Sequence, residues 1–205
     1  MPVEVGGKLM QMFYNMADLL EDRENGDWKL QRFTIDKNNF RAMMEGISSG
    51  TYVRLLHKGE CVMSDTNMEK RTNIDFCCSA YGDVLIGGLG IGMIILAIQD
   101  KPEVKSITVI EKNEEVIDML ASQLNFNDKV KIICADVFDW KPEIGVKYDV
   151  SYMDIWNWVN RDIYEREMKP LKRKYARFLR SKAENPKRYN KCWAEYQAKT
   201  GKRLA

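Results

Sequence analysis

Asp83-Val84-Leu85-Ile86-Gly87-Gly88-Leu89-Gly90-Ile91-Gly92 is an apolar run that ends in a glycine cluster, and a second apolar run, Met93 to Ile98, starts at once. A buried strand that turns sharply into a helix needs residues without a Cβ at the corner. The same absence lets a ligand approach the backbone, and the new helix offers its free N–H groups at that point. Taken alone, the corner fits either a ligand site or simple close packing. Its neighbours at fixed intervals give it meaning.

Downstream of this corner the pattern alternates. Val84 to Ile86, Ser106 to Ile110, Val130 to Cys134 and Tyr148 to Met153 are short apolar runs of strand type, and Met93 to Gln99 and Glu114 to Leu124 are helical stretches between the first three. Alternation of this kind predicts βαβ units with right-handed crossovers and a parallel sheet covered by helices. Upstream lies a mixed lead-in. Met10, Phe13, Ala17 and Leu20 recur at helical spacing and predict a helix from Lys8 to Glu21. After the turn residues Asn25-Gly26-Asp27, Trp28 to Ile35 alternates as a strand and Asn38 to Ile47 reads as a helix. Tyr52 to His57 and Cys61 to Met63 form a hairpin through Lys58-Gly59-Glu60. Thr66 and Glu69 stand three apart as a capping box, opening a helix to about Ala80.

After Asp154 no further strand is expected. Tyr164, Met168, Leu171, Tyr175 and Phe178 keep helical spacing, with Pro170 at a kink or a new helix start. Asn185-Pro186 reads as the cap of a last helix carrying Tyr189, Trp193 and Tyr196 on one face, stopped at Gly201. Only 51 residues follow Asp154, so the sheet is expected to be short and to lack its last strands.

Bulk properties exclude several classes. With 45% hydrophobic and 30% charged residues over 205 positions, the chain can bury a core, and no run reaches the roughly 18 apolar residues of a membrane span. No secretory leader pattern opens the sequence, and the five cysteines form an odd set without a CxxC pair, which together predict reduced thiols and a cytoplasmic setting. The single histidine, His57, leaves little for a zinc site of His/Cys type, and no metal is expected. The net charge of +2 conceals an asymmetry, because residues 161–205 hold fifteen Lys/Arg against five Asp/Glu. A basic tail on an acidic body fits nucleic-acid binding, or a solvated helix face docked on that body.

In an open α/β sheet, ligands sit beyond the carboxyl ends of the strands. Four such ends carry chemistry in succession: Gly88-x-Gly90-x-Gly92; Glu111, 23 residues after Gly88; Asp136 followed by Val137; and Asp154 followed by Trp156. Glu111 is placed to accept from both hydroxyls of a ribose, and Asp136 from an adenine amino group with apolar neighbours against the ring. Each acid also has an ordinary reading as a helix cap or solvated loop residue. Four in this order are harder to explain that way.

On these residues, segment 83–156 resembles the nucleotide-binding half of the class I S-adenosylmethionine-dependent methyltransferase superfamily. The preceding Met63-Ser64-Asp65-Thr66-Asn67-Met68-Glu69 on its hairpin is similar to the spermidine-synthase-like branch. The resemblance implies an α/β, Rossmann-like, mostly parallel sheet with helices on both faces. It divides the chain into a lead-in (1–80), a cofactor-binding core (81–160) and a basic helical extension (161–205), in one compact domain. The implied cofactor is S-adenosylmethionine, held by Glu111 at the ribose, by Asp136 and Val137 at the adenine, and by Gly87, Gly88, Gly90 and Gly92 at the methionine part. Asp154 becomes the catalytic base or the group that orients an acceptor, and Trp156 and Asp65 become acceptor-side candidates, with Trp156 and Trp158 alternatively packed in the core.

The sequence departs from related patterns as well. Ile86 stands where many methyltransferases have an acid, Met93 stands where the NAD pattern needs its third glycine, and Asp154-Ile155-Trp156-Asn157-Trp158 lacks the second acid of aminopropyltransferases. The rival expectations are an aminopropyltransferase and a non-catalytic nucleotide or nucleic-acid binding module. A truncated sheet with an open edge also makes a homodimer an expectation.

Overall fold

The computed structural model describes residues 11–44 and 47–203. It holds two sheets. The smaller is an antiparallel meander of β1 (Arg23–Asn25), β2 (Trp28–Ile35), β3 (Gly50–His57) and β4 (Glu60–Ser64), paired in sequence order. Two-residue turns link β1 to β2 and β3 to β4, and Lys58 (φ 52°) and Gly59 (φ 85°) give the second the left-handed pair that matches strand twist. The short helix α1 (Phe40–Met44) joins β2 to β3, and α2 (Asn67–Ser79) follows β4.

The larger sheet contains β5 (Gly82–Gly87), β6 (Val104–Glu111), β7 (Val130–Cys134), β8 (Val150–Met153) and β9 (Tyr189–Cys192), in the order β7-β6-β5-β8-β9 and parallel throughout. Helices α3 (Met93–Gln99) and α4 (Glu114–Ala121) join β5 to β6 and β6 to β7. Central strand β5 explains its own sequence. Val84, Leu85 and Ile86 are all fully buried, the first and third on one face and the second on the other. A strand covered on both faces gains about 1.5–3 kcal/mol per large apolar side chain and therefore reads as a continuous apolar run. On one face α2, α3 and α4 pack with Leu30, Val53 and Leu55 of the small sheet; on the other lie Met168, Leu171, Tyr175 and Leu179.

Several sequence expectations need correction. The long N-terminal helix is absent from Gln11 onward: only a 3-10 turn, Met16–Asp18, is formed, and residues 8–10 of that expectation lie outside the described residues. The buried carboxylate of Asp65 accepts from the Met16 N–H (3.1 Å) and so anchors this turn to the body. The capping box does not form. Thr66 makes no side-chain bond to the helix and pairs instead with the Ser64 hydroxyl (3.1 Å), while Glu69 turns back to accept from the Ser64 N–H.

The strands do not stop at Asp154. β9 extends the parallel sheet beside β8, and Trp193 adds one more bond to the Met153 carbonyl (2.8 Å). The expected helix from Asn185 is a turn followed by this strand, because the Tyr189, Trp193, Tyr196 spacing that mimics a helix straddles a strand and the short helix α7 (Glu195–Thr200). Gly201 (φ 72°) ends α7 as expected, its N–H returning to Gln197. Between β8 and β9 the chain is helical in three parts: α5 (Arg161–Ile163), a π-helical turn (Tyr164–Met168) and α6 (Lys169–Ala176). Pro170 cannot donate to the preceding turn, and the helical ladder is reset just before it.

Candidate active site

From β5 the chain moves outward to β6 and β7 on one side, and β8 and β9 lie on the other. The strand order therefore reverses at β5, and a crevice opens at the carboxyl ends of β5 and β8. A cavity of about 760 Å³ occupies that position, roofed by Trp28, Leu55, His57, Val62 and Met63 of the small sheet.

The glycine corner forms one wall. The Gly88 N–H donates to the Ile110 carbonyl and the Asp154 N–H to the Gly87 carbonyl, both at 2.8 Å, so three strand ends are tied together. At Gly88 (φ 95°) a Cβ would run into the Asp154 carbonyl, and at Gly90 (φ 55°) into the Met63 thioether. Gly88 and Gly90 face the cavity, whereas Gly87 and Gly92 pack against protein, against Met153 and Leu124 respectively.

Glu111, buried at the end of β6, accepts from the Leu89 N–H (3.0 Å) through Oε2 and from the Asn113 N–H (2.9 Å) and side-chain amide (2.7 Å) through Oε1. It thus holds the glycine corner while facing the cavity. Asp136 uses Oδ1 to accept from the Phe138 N–H (2.8 Å), and buried Val137 stands beside it in the lining.

Asp154 and Glu69 face the same cavity from β8 and α2. Burial pushes the Asp154 carboxyl up to about 7, opposed in part by a hydrogen bond from the Asn73 side chain. Glu69 rises to about 8, first through burial, then through the Asp154 charge, and is held back by the Ser64 N–H. Asn73 is itself fixed: its Nδ2 donates to the Glu69 carbonyl (3.2 Å) and its Oδ1 accepts from Tyr152 Oη (2.9 Å), whose ring stacks on Phe76 at 4.0 Å. The result is two carboxyls lining one cavity, both titrating above the ordinary carboxylate range, with the Asp154 charge raising Glu69 further and Asn73 bonded to Asp154.

Trp156 is buried and also lines the cavity, and its Nε1 donates to Glu167 Oε2 (2.7 Å) on the π-helical turn. Trp158 is 63% exposed at the rim. Asp65 lies elsewhere. Fully buried, it accepts from the Val53 N–H (2.7 Å) and the Met16 N–H, so its role is to join the N-terminal turn to β3.

Sequence reading missed Glu69, because its spacing from Thr66 satisfied a cap. It also missed the Trp28–His57 stack, whose partners meet only once β2 and β3 are in register. Asp162 and Arg166, delivered by the crossover to β9, had no signal beyond helical spacing.

No family model matches the sequence, and no curated protein matches it. Solved structures with a partial likeness include the plantazolicin methyltransferase BpumL with a desmethyl substrate analogue and S-adenosylhomocysteine (20% identity over 54% of this chain and 39% of that one, TM-score 0.38). Others are the fibrillarin/Nop5p complex (18% identity, 48% and 44% covered, TM-score 0.36) and the CcbJ methyltransferase from Streptomyces caelestis (16% identity, 48% and 39% covered, TM-score 0.37). The chain spans less than half the length of each of these structures.

Proposed function

We propose that the chain binds S-adenosylmethionine and transfers its methyl group to a proton-bearing nitrogen or oxygen nucleophile. One observation carries the reading: the Gly88–Gly90 corner, Glu111, Asp136 and Asp154, from four successive strand ends, surround one cavity at the point where strand order reverses. The residues fit the cofactor. About 760 Å³ is within the range of small-molecule sites, and Gly88 and Gly90 leave the backbone of the corner open to the cavity. Asp136 keeps an oxygen for an amino group, Glu111 offers its remaining lone pairs to hydroxyls, and Val137 lies against the base. When bound, S-adenosylmethionine supplies a methyl group already activated by sulfonium charge.

The protein then has to align an acceptor, exclude water and remove a proton. Asp154 receives that proton, with Glu69 beside it to share it and Asn73 to hold the carboxylate in place. The acceptor side is lined by the carboxyl groups of Glu69, Asp154, Asp162 and Glu167 and by the single cation Arg166, which favours an amine able to donate hydrogen bonds to them.

Titration calorimetry of the purified protein tests the proposal. S-adenosylmethionine or S-adenosylhomocysteine is expected to bind with micromolar dissociation constants, and Asp136→Ala to weaken binding by roughly ten-fold or more through loss of a charged hydrogen-bond partner. Absence of heat with either ligand overturns the reading.

A second reading, aminopropyl transfer from decarboxylated S-adenosylmethionine in the spermidine-synthase-like branch, draws support from Glu69. This residue supplies, from the hairpin-to-helix junction, the second carboxylate that the sequence after β8 lacks. Comparing both cofactors in one assay separates the two readings.

A further inference from the structure

The small antiparallel sheet, which roofs the cavity, turns part of one face toward it. Trp28 and Leu30 on β2, Leu55 and His57 on β3, and Met63 on β4 share that face by register: Trp28 opposes His57, Leu30 opposes Leu55, and Leu55 opposes Met63. Four of these five line the cavity, and Leu30 lies in the core beneath them. The register slips by one residue between Leu55 and Leu56, leaving Val62 as the extra residue of β4 and bringing Val62 and Met63 both into the lining. Bulges commonly re-aim side chains in this way beside binding sites. Met63 rests on Gly90, which fixes the sheet's position over the glycine corner.

At the other end of the same face, Trp28 and His57 stack with ring centroids 4.3 Å apart and an interplanar angle of 20°. Their location follows from the sheet's footing. β1 and β2 pack on α4, and a Cβ placed on Gly26, two residues before Trp28, would lie 3.7 Å from the Glu115 side chain at the start of that helix. The segment leading into α4 is Glu111-Lys112-Asn113, which lines the cavity along with Val116 of the helix itself. The aromatic pair therefore stands over the Glu111 end, across the cavity from β8. Both rings are only partly buried and both line the cavity.

We infer that the small sheet is a wall of the nucleoside site, with the Trp28–His57 stack covering the purine nucleoside that Glu111 and Asp136 hold by its polar edges. The inference rests on the cofactor reading above. A purine ring presents two apolar faces and a polar rim. Carboxylates at strand ends satisfy the rim, and an aromatic wall removes a face from water. Phosphate-bearing nucleotides are disfavoured here, because Glu111 and Asp136 present negative charge and Lys112 is the one Lys or Arg of the lining outside the acceptor side.

The experiment titrates adenosine and S-adenosylhomocysteine into wild type, Trp28→Phe and Trp28→Leu, the last keeping apolar bulk without a π face. The expected result is about ten-fold weaker binding of both ligands to Trp28→Leu and a change of about three-fold or less for Trp28→Phe. Hydrogen exchange on the wild-type protein adds a readout independent of how the variants fold: S-adenosylhomocysteine should increase protection of the amides at 28–30 and 55–57. Wild type that binds S-adenosylhomocysteine without added protection there, or Trp28→Leu binding as tightly as wild type, overturns the inference and leaves the cofactor reading standing. Wild type that binds neither ligand removes both.

Discussion

Asp154 and Glu69 are the two carboxyls of the cavity pushed furthest from their ordinary range. Both carboxyls titrate above the ordinary carboxylate range, near 7 and 8, because burial penalises their charged forms. Raised folded-state values mean that the folded protein binds more protons than the unfolded chain between about pH 4 and 8. The stability they contribute is therefore complete below about pH 4 and lost as pH rises through 7 and 8. With Asp154 as the proposed base, activity runs the opposite way, since a base must be unprotonated to accept, and the proposed methyl-transfer rate is expected to climb with pH through this window. Asp154→Asn keeps the shape and the Asn73 contact but removes the buried charge. It should lose roughly 10²–10⁴-fold in rate, while gaining about 1–2 kcal/mol of stability at pH 8, or roughly 2–8 °C in Tm, and less at pH 5. Initial rates from pH 6 to 9 and thermal melts at pH 5 and 8 check both halves. A variant that loses activity without gaining stability at pH 8 would place Asp154 outside the strained pair.

Among the secondary-structure elements, legibility followed how local the determining physics was. β5 to β8, α3 and α4 were readable because buried parallel strands are continuous apolar runs and helices announce themselves by period. β9 was not, because Tyr189, Asn190, Lys191 and Cys192 have no apolar run and pair through a partner 39 residues upstream. The candidate site divides the same way. Strand ends gave Gly88, Gly90, Glu111, Asp136 and Asp154, while Glu69, Trp28 and His57 reach the cavity only through tertiary packing. One ion-pair cluster holds the late element in place: Arg180 Nη2 meets Asp83 (2.7 Å) at the start of β5 and Nη1 meets Asp149 (2.8 Å) just before β8, with Asn185 donating to the same Asp149 (2.6 Å). Arg180→Ala leaves two part-buried carboxylates side by side, so a loss of about 1–3 kcal/mol, or roughly 2–12 °C in Tm, is expected. These groups sit at the amino ends of the strands, away from the cavity. The dissociation constant for S-adenosylhomocysteine should therefore stay within two-fold of wild type, as calorimetry on the variant would show.

At the scale of the whole molecule, the charge asymmetry acquires a structural meaning. Four of the fifteen Lys and Arg of segment 161–205 are tied to groups within the fold: Arg180 to Asp83 and Asp149, Lys172 to Glu195, Lys169 to Glu165, and Lys174 to the Val137 and Phe138 carbonyls. The same segment also supplies β9, the buried Trp193 and the Met168, Leu171 and Tyr175 cluster that covers one face of the sheet. It is part of the core, with a solvated basic surface. Deleting residues 161–205 therefore exposes Leu85 and Met153 and strips β8 of its outer partner, and the remaining chain is expected to lose cooperative thermal unfolding and to aggregate. Nucleic-acid binding is better tested on the intact fold. Exposed Lys182, Lys187, Lys191 and Lys199 can be changed together to Glu without touching those contacts. If the surface binds nucleic acid, this variant keeps its Tm and its affinity for S-adenosylhomocysteine while losing salt-dependent retention of a duplex by about ten-fold or more, since each neutralised phosphate contact contributes to the salt slope. If retention by wild type is already absent at about 50 mM salt, the surplus of positive charge serves the fold and its solubility alone.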